Sequence, residues 1–366
     1  MSDGDFVEER TDGTVVESEG FDLWERLKES ELAVVAVTAA IVVVFPWLFA
    51  RAPVVSDVLD GYQSLASLVL IWGIFAMGFN LLLGYVGLLS FGHAVFWGGA
   101  AYAAAIFSST VSGSPVLMVV VGTVSAALMA WVLGFVSLRR GGIYFAILTL
   151  AFGQMAYYLA LGPLANLTGG ENGYTTVETG ELLGTFRLAS PPPAFDVLFG
   201  NWLYVFVGVL TVVSVAVAYR ILHSPYGLVF KAIRENERRA EFVGLNVWRY
   251  KLMAFVLSGA FAGIAGSLFV VHGGYVPLES LYWTTSGEVV VMAVLGGIGS
   301  LFGPLLGAGV YLYVENIVSG YPSYGPYWHL ILGLVFVAVV VLFPRGIWGI
   351  FTGASSRLKR LVESEE

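Results

Sequence analysis

The chain has 366 residues, of which 57% are hydrophobic and only 12% charged, against roughly 25% charged in an ordinary soluble domain. A mean hydropathy of +0.81 with so few charges excludes a soluble fold, and the absence of cysteine excludes disulfides, thiolate metal sites and cysteine nucleophiles. The net charge of −8 belongs to one end: residues 1–31 hold 11 acids and 3 bases, and residues 32–366 hold 15 of each.

Residues 1–31 are expected to form a disordered, acidic cytosolic tail, and they lack the basic n-region of a signal peptide. A transmembrane body follows over 32–350, then a short cytosolic tail over 351–366. A helix needs about 20 apolar residues to cross a bilayer. Charge-poor runs of that kind occupy 32–50, 64–83, 93–111, 115–138, 142–162, 201–222 and 252–272. The stretch 288–318 is interrupted by Gly296, Gly297, Gly299, Gly303 and Pro304, which predicts two short helices with a turn near 299–303. A last run covers 328–343. The expected architecture is all-α and polytopic, with about ten spans, some short or Gly-broken.

Lysine and arginine in short loops set the direction of insertion. Arg139 and Arg140, the loop 223–251 and the group Arg345, Arg357, Lys359 and Arg360 fall on one side if there are ten spans. That puts both termini in the cytoplasm of a multi-pass cell-membrane protein. The other side carries Arg51, Asp57, Asp60 and the loop 163–200, with four acids against Arg187 alone.

Several activities lack their apparatus. None of the four lysines follows Gly and precedes Ser or Thr, so there is no P-loop and no ATPase motif. The four histidines are scattered, without an H-E-x-x-H pair, and no G-x-S-x-G elbow exists. No metal, no bound cofactor and no catalytic residue is expected, and no basic stripe on a soluble module supports nucleic-acid binding.

Loop 223–251 carries six bases and three acids. Ser224-Pro225 begins a turn, and 228–243 predicts one short amphipathic helix with Leu228, Ile233 and Val243 among its apolar residues. Ala240 and Gly244 lie four apart, giving a small-residue edge before Leu245-Asn246-Val247. Such a helix suits docking into a cleft of a cytosolic partner; it equally suits pairing with anionic lipid to fix topology.

Here a resemblance becomes specific. The segment Ala240-x-x-x-Gly244-Leu245-Asn246 resembles the coupling segment of ABC-importer permeases, in particular the branched-chain amino acid permease family of the LivM type. Further stretches match that family in order: Asn80 to His93, Leu138 to Ala151, Thr168 to Gly173, Ser258 to Gly266, Met292 to Pro304 and Phe343 to Gly346. The proline-rich stretch 188–196 looks like a local insertion.

The resemblance implies a subunit that moves branched-chain amino acids inward, while ATP is used by partner subunits. Those partners are a second, homologous permease, two cytosolic ATP-binding subunits and an extracellular solute-binding protein, all around membrane lipid. It implies coupling to the ATPase through Arg234, Glu237, Ala240, Gly244 and Asn246. Broken helices in transporters often line the substrate path, which makes Asn80, Ser90, His93, Gln154, Gly296 and Gly299 candidates; helix packing is the plainer fate of each glycine. Glu288 and Glu315 are expected near span ends. Two rivals stay open: a urea or short-amide permease of the same kind, and an ion-coupled secondary transporter, which would call for mid-span carboxylates and no docking loop.

Overall fold

The computed structural model describes residues 31–50, 63–192, 200–320, 327–343 and 345–349. The acidic tail before Glu31, Arg51, Asp57, Asp60 and the tail 351–366 lie outside the described residues. The described residues form thirteen α-helices and no strand. They are α1 (Glu31–Ala50), α2 (Gln63–Asn80), α3 (Ala94–Thr110), α4 (Pro115–Ser137), α5 (Ile143–Leu161) and α6 (Ala165–Thr168). After the loop come α7 (Trp202–Leu222), α8 (Pro225–Glu235), α9 (Glu237–Phe242) and α10 (Val247–Gly273). The last are α11 (Trp283–Gly296), α12 (Gly303–Gly320) and α13 (Trp328–Leu342).

Each expected span corresponds to a helix. Among the described residues six runs are long and apolar enough to cross a membrane, including Ser64–Val86, Pro115–Ser137 and Val247–Gly273. The molecule is an all-α, multi-pass membrane protein. Lipid offers the backbone no hydrogen-bond partners, so each span satisfies its own peptide groups as a helix. Polar residues then mark where spans begin. Asn201 Oδ1 accepts from Tyr204 N at 2.8 Å to start α7, and Pro115 occupies the first turn of α4.

Packing sorts side chains by size rather than by polarity. On α4, Val120, Val124, Leu128 and Trp131 point outward and are about half exposed, while Gly122, Ala126, Ala130 and Gly134 are buried. That small face receives α10: a Cβ on Gly263 would stand 2.7 Å from the Ala126 Cβ, and one on Gly266 would overlap the Trp97 carbonyl of α3. Apolar solvent gives helices no hydrophobic reason to associate, so close backbone approach supplies the attraction. The α2 span is the most central, with 89% of its apolar window buried.

The bundle has two chemically different ends. The turn at Gly142, the loop carrying α8 and α9, the turn 297–300 and Arg345 meet at one end, where they line two adjoining cavities. At the other end the 163–192 loop folds down, with Tyr174 bridging to Val276 and Gly180 N donating to Gly113 O. There Thr168 Oγ1 donates to Ala160 O at 2.6 Å, which pins the expected Thr168–Gly173 turn onto α5.

Two helices start inside the bundle. The chain at Ser280–Leu281 reaches the level of Gly98 in α3, where a Cβ would stand 2.7 Å from Ser280 O. Ala94 N, at the first turn of α3, donates to Ser286 Oγ at 2.8 Å in the first turn of α11. The interior helix ends are thus those of α3 and α11. The expected break between α11 and α12 is present, but it lies at the basic end beside Arg234 and Arg345.

Candidate functional site at the basic end

The loop after α7 is built from local caps. Phe230 and Ile233 are buried and hold α8 against the bundle. The helix predicted over 228–243 is two helices, because Asn236 takes an extended conformation and its Oδ1 accepts from Arg239 N at 2.9 Å. Asparagine competes with helical bonding through its own side chain, so it ends α8 and caps α9 in one step. α9 stops at Gly244, whose φ of 86° is left-handed. Leu245 N reaches Ala240 O at 3.2 Å and Gly244 N reaches Glu241 O at 2.9 Å, the two bonds of a Schellman termination. Asn246 Oδ1 then accepts from Arg249 N at 3.2 Å and begins α10.

Of the five residues that the sequence nominates for coupling, Arg234, Glu237, Gly244 and Asn246 are exposed yet also bond within their own chain. Arg234 Nη1 donates to Gly84 O. Glu237 Oε1 accepts from Lys251 Nζ at 2.5 Å, and that lysine side chain is only 9% exposed. Ala240 is buried, so the small-residue edge expected of it is turned inward. Gly244 and Asn246 are the caps. The exposed surface is mixed: Phe242 is 91% exposed, Val243 76% and Leu228 68%, among the exposed Lys231, Glu235, Arg238, Arg239 and Glu241. Charge runs stand out in the sequence, and the exposed phenylalanine gives no comparable signal there.

Beneath the loop, the two glycine-broken segments meet. α2 continues as a π-helical turn over Leu81–Val86 and ends at Gly87, with φ 81°. Asn80 Oδ1 accepts from Gly299 N at 2.9 Å, and Asn80 Nδ2 donates to Ser300 O at 2.7 Å. The approach is so close that a Cβ on Gly84 would stand 2.7 Å from Gly299 N.

A family model described as the permease component of branched-chain amino acid transport systems matches residues 61–340. The chain belongs to this permease family. It is 33% identical over 302 residues to the high-affinity branched-chain amino acid transport permease protein LivM of Salmonella typhimurium, covering 78% of this chain and 70% of that protein. LivM of Escherichia coli K12 is 32% identical over the same shares. A LivH permease protein of Methanocaldococcus jannaschii is 26% identical over 180 residues, 46% of this chain and 54% of that one. No solved structure matches the chain.

The permease's candidate path residues divide between two places. Asn80 and Gly299 bond each other, and Gly296 packs against the backbone of Gly303 where α11 turns into α12. His93 sits apart, fully buried, with its ring edge-on to Phe79, Phe96 and Phe255. Ser258 Oγ spends its one proton on Gly78 O at 2.6 Å, so it accepts from His93 Nε2 at 2.8 Å. That fixes the proton on Nε2 and leaves His93 Nδ1 a buried acceptor without a partner. Ser90 is fully buried, its hydroxyl facing Gly92 N at 3.4 Å. Gln154 lies partway along α5, with Nε2 buried and unpartnered. Ser258 and Ser286 hold these elements together; Ser258 opens one of the family-like stretches, and Ser286, an isolated serine beside an apolar run, carries no pattern in the sequence.

Glu288 on α11 and Glu315 on α12 are half-buried. Among the described residues no group of three or more potential metal ligands occurs.

Proposed function

We infer that this permease is the membrane subunit of an ATP-driven importer that passes branched-chain amino acids inward. Separate cytosolic subunits hydrolyse the ATP, a second homologous permease completes the membrane body, and an extracellular binding protein delivers the solute. This chain itself binds no cofactor. The basic end faces the cytoplasm, as the excess of Lys and Arg there requires, and both termini lie on that cytoplasmic side of the cell membrane. The relatives' transport of branched-chain amino acids supports the choice of solute.

One observation carries the reading. At the tip of the loop, Phe242 and Val243 stand in the open while the neighbouring Arg234 and Glu237 are engaged with the bundle. A large apolar pair exposed on a charged, well-capped loop marks a surface made for a protein partner. Movement of that partner would displace α8 and α9 and bias the helices between two arrangements.

Copurification from detergent tests this directly. An ATP-binding subunit should accompany the wild-type chain and be lost from Phe242→Asp, with the chain's own melting temperature unchanged. Leucine uptake that persists after every partner ATPase is deleted would refute the importer and favour an ion-coupled carrier.

A further inference from the structure

Three glycines at the basic end frame a slot. A Cβ on Gly87 would stand 3.3 Å from Arg234 Cγ, and one on Gly299 would stand 3.3 Å from Arg234 Nη1. Gly84, the third, supplies the carbonyl that accepts from Arg234 Nη1. A larger residue at Gly87 or Gly299 would narrow the channel through which the arginine reaches, and one at Gly84 would push Gly299 away from it. The carbonyl it reaches lies in the last turn of the α2 span, where orphan C=O groups and the negative end of the helix dipole favour a cation. A single side chain from the loop thus caps a membrane helix from outside it.

The same slot is cross-braced. Asn80, one turn before Gly84, holds both Gly299 N and Ser300 O, so the end of α2 and the α11–α12 turn form one polar unit. Arg234 lies on the wall of a cavity of about 670 Å³ on one side and of another of about 460 Å³ on the other. With open space on both flanks, the arginine can shift without first displacing packed side chains.

We propose that Arg234 is the positioning residue that carries loop movement into the membrane, by tying α8 to the glycine slot of Gly84, Gly87 and Gly299. The assignment rests on the reading of this loop as the ATPase dock. It gives the glycine-rich segments 84–87 and 296–299 a shared role, which is to admit a guanidinium, and the solute need not touch them. Arg234 acts through the two broken segments and does not contact the ATPase.

The test uses the complete transporter in proteoliposomes, with leucine as the probe. Arg234→Gln is expected to keep the ATPase subunit at the wild-type ratio and to keep hydrolysing ATP, while leucine taken up per ATP falls about tenfold, within the range of coupling free energies. Arg234→Lys should recover part of that loss, since an ammonium can still reach the Gly84 carbonyl but cannot fork. In the purified chain, amide exchange over residues 84–89 and 297–301 should quicken in Arg234→Gln. Unchanged uptake per ATP, or unchanged amide protection, overturns the proposal. Loss of the ATPase subunit from Arg234→Gln also overturns it, because Arg234 would then be a docking contact. A wild-type chain that holds no ATPase subunit sinks the importer reading instead, and the exchange comparison reports on the joint independently.

Discussion

Asn80 and Gly299, 219 residues apart, are joined so that one carboxamide makes two bonds to a single turn: Gly299 N donates to Asn80 Oδ1 at 2.9 Å and Asn80 Nδ2 donates to Ser300 O at 2.7 Å. Asn80 is 1% exposed, and both of its bonds are part-buried. Leucine at this position would leave the partly buried Gly299 N and Ser300 O without their partner. Each such loss costs about 1–3 kcal/mol, and Asn80→Leu should lower the melting temperature in detergent by several degrees. Asn80→Asp should be no better, because the carboxylate cannot donate to Ser300 O. A melting temperature equal to the wild type in both variants would show that the clamp is idle.

The seam between α10 and α3 gives a sharper contrast. A methyl group on Gly266 would run into the Trp97 carbonyl, whereas one on Gly287 meets nothing within 4 Å. Backbone cannot step aside as a side chain can, so Gly266→Ala is expected to destabilise the chain by at least about 1–3 kcal/mol, the cost of overpacking. Gly287→Ala should be neutral or slightly stabilising, since alanine is the better helix former. Thermal unfolding of the two variants side by side would expose an error if they melt together.

The pair Glu237–Lys251 is asymmetric. The lysine side chain is 9% exposed and the glutamate 49%. Removing the glutamate strands a buried ammonium, while removing the lysine frees a carboxylate that can turn to water. Glu237→Gln should therefore cost more stability than Lys251→Met, and chemical modification of Lys251 should speed up only in Glu237→Gln. Equal losses in the two variants would contradict this geometry.

Gly244 separates backbone demand from surface demand. Its φ is 86° and no atom lies within 4 Å of a Cβ placed there. Only the backbone limits it, at about 1–2 kcal/mol for an ordinary L-residue in the left-handed region. Gly244→Asn should be nearly silent in limited proteolysis of the loop, and Gly244→Val should open the α9 end. If valine proves as protected as glycine, the Schellman termination is not the feature that holds the loop closed.

Much of this organisation is local and could be read from residue order. Hydropathy marks spans because a helix in lipid needs only its own length of apolar residues. Pro115, Asn201 and Gly303 mark ends because caps act within one turn. The break in 288–318 and the gathering of basic residues at one end are of the same kind. The split of 228–243 at Asn236 is local too, yet it stays hidden in the sequence: a charged amphipathic run masks a single asparagine whose side chain caps the next helix.

Contacts between distant segments needed the tertiary structure. Nothing near Arg234 in the sequence points to Gly84, 150 residues away, and nothing near Asn80 points to Gly299. Whether a loop charge meets a partner protein or its own backbone depends on which helices stand beneath it. The same holds for Phe242, whose exposure is set by where α9 stops. The sequence by itself determined a membrane-spanning helical body, its charge asymmetry and its permease family, because these depend on composition and short-range pattern. Only the packed structure decided which polar groups are spent inside the chain, because hydrogen bonds between distant segments exist only once glycines let those segments touch.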